Sequence, residues 1–142
     1  MNQNTIAHTS AQIASSPGIQ HWFGTGLTAL VVLFLIFDGV TKIIRVPQVV
    51  DACQKVGIAS DLVVPIGALL LACTAVYITP RTAILGAILL TGYLGGAATI
   101  HVIAKQGAFP IIFAVSFGIL VWTGLILREP RLIRWILFRQ YS

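Results

Sequence analysis

Charge is what this 142-residue sequence has least of: nine Lys/Arg and four Asp/Glu make up 9% of it. A soluble domain carries about a quarter charged residues, so a water-facing polar shell cannot be built from this chain. Sulfur ligands are scarce too. Cys53 and Cys73 stand twenty residues apart with no CxxC or other metal spacing, which gives no zinc or iron–sulfur framework. No flavin or haem motif is present, and no basic stripe interleaved with aromatics, so nucleic acid is not an expected partner. What is abundant is apolar: 57% of residues, with a mean hydropathy of +0.93. Disorder requires the opposite balance. An integral membrane protein remains.

Four apolar runs read as transmembrane helices, at about 22–44, 62–78, 82–104 and 108–127. Each is near the ~20 residues that cross a ~30 Å hydrocarbon layer. None shows the in–out alternation of a membrane strand. The expected fold is therefore an all-α membrane protein, an antiparallel four-transmembrane-helix bundle with both termini on one side. Thr79-Pro80 reads as an N-cap and first-turn proline for the third span, and Pro65 and Pro110 stand near the starts of the second and fourth. The short joints around Pro80 and at Lys105-Gln106-Gly107 predict helical hairpins.

Between the first two spans, Val46, Val49, Val50, Cys53 and Val56 recur at three- and four-residue steps against Gln48, Asp51, Gln54 and Lys55. This predicts a short amphipathic helix at the interface, closed by Gly57. A second one is expected from Glu129 to Arg139, carrying Arg131, Arg134 and Arg139. Residues 1–21 read as a polar, disordered tail with solvated His8 and His21, 22–138 as the membrane domain, and 139–142 as its C-terminal end. Trp22, Tyr77, Trp122 and Trp135 predict an aromatic belt on the terminal side. That side holds Arg81, Arg128, Arg131, Arg134 and Arg139, against Lys42, Arg45, Lys55 and Lys105 opposite. The positive-inside rule then leans toward cytoplasmic termini.

Ionisable groups within spans are functional candidates by default. Asp38 lies in an apolar stretch with Lys42 one turn on, the spacing of an ion pair. His101 stands near the end of the third span. Counted from the predicted edge, Asp38 is about 9 Å deep and His101 about 5 Å, within side-chain reach of each other if their helices are neighbours. Tyr93, mid-span, needs a partner for its hydroxyl. Asp38, Lys42, Tyr93 and His101 are thus the candidate ligand-binding residues, with no metal set among them. Two readings stand: a proton-accepting site beside a bound quinone or other small polar molecule, or a structural ion pair with a hydrogen-bonded histidine. Gly92 and Gly96 form a GxxxG pair, expected to pack inside the bundle, although small-residue faces also suit a homo-oligomer. Gly67, Ala68, Ser116, Gly118 and Gly124 are expected as further packing contacts. Cys73, about 16 Å into its span, is out of bridging reach of Cys53.

The segments Phe34-Leu35-Ile36-Phe37-Asp38-Gly39-Val40-Thr41-Lys42, Val56-Gly57, Pro80-Arg81-Thr82 through Gly92-Tyr93-Leu94-Gly95-Gly96 to Ile100-His101, and Trp122-Thr123-Gly124 to Pro130-Arg131-Leu132 resemble the DoxX-like family of small bacterial membrane proteins. The resemblance covers about residues 22–138. It implies a four-helix bundle in the bacterial cytoplasmic (inner) membrane. The family takes its name from a subunit of a thiosulfate:quinone oxidoreductase, so the resemblance implies a quinone-linked redox component with a redox partner protein. Asp38, Lys42 and His101 match positions of the family pattern. The alternative is a non-enzymatic scaffold or accessory subunit with a structural polar cluster.

Overall fold

Hydrocarbon offers no hydrogen bonds, so a chain crossing it must pair its own backbone groups, and a helix does this within one segment. The structure, a computed structural model, describes residues 17–128. The described residues are helical with no strand: α1 (Pro17–Ile43), α2 (Pro47–Lys55), α3 (Val63–Ile78), α4 (Ala83–Ile103) and α5 (Ala108–Arg128). Three segments are long and apolar enough to span a membrane: Trp22–Ile43, Ala83–Ile103 and Ala108–Arg128. The predicted second span is shorter. α3 is an apolar helix of 16 residues, about 24 Å long, against a layer of about 30 Å.

The termini of these helices follow local chemistry, with two corrections. α1 starts at Pro17, so the polar stretch 17–21 is helical rather than part of a tail. The predicted Thr79 cap is displaced: Thr79 closes α3, and Thr82 precedes α4. The Thr82 hydroxyl donates to Val76 O at 2.9 Å, tying the turn back to α3. Residues 1–16 and the predicted helix around Arg131, Arg134, Trp135 and Arg139 lie outside the described residues.

The long helices form a ring. α1 packs on α3 and α5, and α4 packs on the same two, so α1 and α4 face each other across the bundle. Contacts join the end of α1 to the start of α3, and the start of α1 to the end of α5. Close approach depends on glycine at these crossings. A Cβ on Gly67 would fall 2.7 Å from Lys42 Cβ and 2.8 Å from Gly39 O, and one on Gly86 would overlap the Tyr77 backbone. Between them lies a core of Val31, Leu35, Leu70, Cys73, Tyr77, Ala83, Ala87, Leu90, Val121 and Leu125. Outward positions are apolar as well: Leu33, Ile88, Phe109, Ile112 and Ile119 are all exposed. Such a surface suits lipid, not water.

Two expectations about packing are overturned. Gly92, Gly95 and Gly96 have nothing within 4 Å of where a Cβ would stand, and the same holds for Gly118. The GxxxG pair therefore faces outward. Ala68 and Ser116 are exposed as well, whereas Gly67 and Gly124 pack as expected. Tyr77 is no belt residue: it is fully buried, and its hydroxyl donates to Val121 O at 2.8 Å. Trp122 is turned toward α4, donating from Nε1 to Thr91 Oγ1 at 2.9 Å. Trp22 is exposed and Trp135 lies outside the described residues.

Candidate functional site

On α1 the buried stripe Val31, Leu35, Gly39 faces inward, and Asp38 and Lys42 flank its last turn. The i, i+4 spacing brings Lys42 Nζ to 2.5 Å from Asp38 Oδ1, the ion pair the sequence predicts. Lys42 is the more buried partner, at 12% against 35% exposure, because its stem lies against Gly67 of α3. A charge so placed is tolerated only when paired. Thr41 donates to Asp38 O at 2.9 Å and holds the same turn.

The inward stripe of α4 runs through Ala83, Gly86, Ala87 and Leu90, then Tyr93, Leu94, Ala97 and His101 at three- and four-residue steps. Tyr93 and His101 are each half-buried. Neither has an internal hydrogen-bond partner among the described residues, and His101 Nδ1 is buried without one. This contrasts with Tyr77, whose hydroxyl is satisfied within the fold. An unpaired buried polar atom costs roughly 1–3 kcal/mol, so His101 Nδ1 calls for a partner beyond the described residues.

Two groups join the site that the sequence did not single out. Cys53 stands within electrostatic range of both Lys42 and Asp38, and Cys73 is buried in the same core cluster as Leu70 and Tyr77. Cys53 is the buried residue of α2, which packs on the end of α1. Burial pushes its thiol above the ordinary 9.0, with Lys42 opposing and Asp38 reinforcing the rise. A signal for both thiols was present. Cys53 falls on the apolar stripe of the amphipathic segment, and Cys73 follows Leu70 at one helical step.

Depth orders these groups. Measured along the helices from the end that α1 and α4 share, His101 is about 3 Å in, Asp38 about 8 Å, and Tyr93 and Cys73 each about 15 Å. Cys53 covers them from α2. These depths set an ion pair, a phenol and an imidazole along the half of the bundle nearest that end, a polar column from one face to mid-depth. The predicted meeting of Asp38 and His101 is different in kind. Their helices lie across the bundle rather than side by side, and no hydrogen bond or ion pair joins them.

Beside the column, Phe34 of α1 meets Phe117 at 4.5 Å and Phe113 at 5.5 Å between ring centroids, and Phe109 continues the row on α5. The row lines the α1–α5 seam at the same end of the bundle. Among the described residues no three His, Cys, Asp or Glu side chains converge to hold a metal ion.

Compared with known proteins, residues 26–124 match the family model described as the DoxX-like family. No curated protein and no solved structure matches the chain.

Proposed function

The chain belongs to the DoxX-like family of membrane proteins, and from that premise we propose that it is a quinone-linked membrane redox component, its head-group site the polar column between α1 and α4. The observation that carries this reading is His101 Nδ1 on the inward face of α4, buried without a hydrogen-bond partner among the described residues, with the Tyr93 hydroxyl on the same face likewise making no hydrogen bond to them. In this reading α3 is the short second span of an antiparallel four-span bundle in the bacterial cytoplasmic membrane, with cytoplasmic termini. Reducing equivalents pass to or from a redox partner protein.

The residues fit such a ligand. A bound quinone supplies a two-electron, two-proton couple and two carbonyl acceptors. The Tyr93 hydroxyl donates to one acceptor, and the His101 ring, which carries one nitrogen donor and one nitrogen acceptor when neutral, pairs with the other. Asp38 and Lys42 neutralise each other, so the site holds polar groups without an isolated charge in the bilayer. The phenylalanine row at the α1–α5 seam suits a flat ring and its apolar tail.

The test is direct. Full-length protein in mild detergent is extracted and assayed for a co-purifying quinone, then titrated with a short-chain benzoquinone. Saturable binding is expected, and His101→Ala weakens it about two- to tenfold, the worth of one hydrogen bond. A wild-type protein that binds no quinone overturns the proposal.

One observation favours a second reading, a scaffold or accessory subunit. Asp38 and Lys42 satisfy each other, and Lys42 packs at the Gly39–Gly67 crossing. On that reading Asp38→Asn lowers stability in detergent and leaves the partner's turnover per folded molecule unchanged. On the quinone reading the same variant lowers turnover per folded molecule.

A further inference from the structure

Both helices that end beside the polar column close in the same way. Arg45 N–H donates to Lys42 O at 3.2 Å and Val46 N–H to Thr41 O at 3.0 Å, while Lys105 N–H donates to Val102 O at 3.1 Å and Gln106 N–H to His101 O at 3.2 Å. This paired closure needs one residue in the left-handed region, a place glycine takes most easily and asparagine next. α2 follows the rule with Gly57 at φ 87°. α1 and α4 do not. Their left-handed residues are Arg45 at φ 55° and Lys105 at φ 53°, the two non-glycine residues with positive φ among those described.

The two share more than a strained backbone. Each stands two residues beyond the end of a membrane span, Ile43 or Ile103, and so about 3 Å past it, within the headgroup layer. Both are exposed, and neither has an ion-pair partner among the described residues. Because α1 and α4 face each other across the bundle, the cations mark opposite corners of one end. Strain of this sort persists where another interaction offsets it.

We propose that Arg45 and Lys105 are headgroup anchors, each held in the left-handed conformation to bind the phosphate of an anionic phospholipid. The closure turns the chain sharply at the end of the span and leaves the cationic stem at the height of the phosphates. A charge-assisted contact to phosphate is the strongest that an exposed Arg or Lys can make there.

The test uses full-length protein recovered from vesicles of equal phosphatidylglycerol and phosphatidylcholine, with the retained lipids counted by native mass spectrometry. Wild type is expected to retain an excess of phosphatidylglycerol. The double variant Arg45→Gly, Lys105→Gly loses that excess, while Arg45→Lys keeps it. In neutral detergent without lipid the glycine variants melt at the wild-type temperature or a few degrees higher, because the backbone strain is gone. Added phosphatidylglycerol raises the melting temperature of wild type but not of the double variant. An undiminished phosphatidylglycerol excess in the double variant overturns the proposal. So does a lower melting temperature of the glycine variants in neutral detergent, which would assign the cations to the protein's own stability. Equal stabilisation of wild type by inorganic phosphate alone would overturn the assignment to lipid.

Discussion

The two tyrosines of the bundle make a paired experiment. Tyr77→Phe removes a hydroxyl that donates to Val121 O at 2.8 Å in a fully buried site. The carbonyl it leaves has already accepted its helical bond, so the loss is that of one net hydrogen bond, about 0.5–1.5 kcal/mol. Tyr93→Phe removes a hydroxyl with no internal partner, and its expected cost is close to zero, or a small gain where desolvation is relieved. Reversible unfolding of the full-length protein in mixed micelles reads both. Ligand binding should move the other way: Tyr93→Phe weakens quinone binding about two- to tenfold, again one hydrogen bond, and Tyr77→Phe leaves it unchanged. A Tyr93→Phe protein as destabilised as Tyr77→Phe would mean the phenol is satisfied within the fold, and the site reasoning would fail with it.

Glycine offers a second pair. Gly86→Ala, where the new methyl overlaps the Tyr77 backbone, should cost roughly 1–3 kcal/mol or more, whereas Gly92→Ala, with open space around it, should gain up to about 1 kcal/mol of helix propensity. Equal effects in detergent unfolding would refute the assignment of inward and outward faces. Cys53 should react slowly with a water-soluble maleimide at neutral pH. Its raised folded-state value means the protonated thiol is favoured in the fold, so its contribution is complete below the ordinary 9.0 and declines as pH climbs from there through the folded value. Labelling as fast as a free thiol at pH 7 would contradict the burial. Lys42→Met leaves Asp38 unpaired within the bundle and should destabilise it more than Lys42→Met combined with Asp38→Asn; a thermal-melt ranking in the opposite order would argue that the pair contributes nothing.

Features local in sequence were legible. The ion pair follows from four-residue spacing, and α2 buries Cys53 while Gln48, Asp51, Gln54 and Lys55 stay exposed, as its amphipathic pattern predicts. Features that depend on which way an apolar helix faces were not. Gly92 and Gly96 read as packing residues, yet they lie on the outer face of α4, and Gly86 on the inner face drew no notice. Tyr77 and Tyr93 look alike in sequence; one is a structural donor and the other an open group.

The residues alone determined membrane residence, the helical elements and the i, i+4 charge pair, because each depends on transfer free energy or on neighbours within one turn. Only the tertiary structure decided that α1 and α4 face each other across the ring, and therefore that Asp38 and His101 stand on opposing rather than neighbouring helices. The reason is the solvent. Lipid is as apolar as the bundle interior, so α3 and α4 are apolar on every side, and hydropathy carries no mark of the inner face. Facing is left to shape: where a backbone must approach another, as at Gly39, Gly67 and Gly86, the missing Cβ sets the rotation of the helix and with it the direction of every polar group it bears.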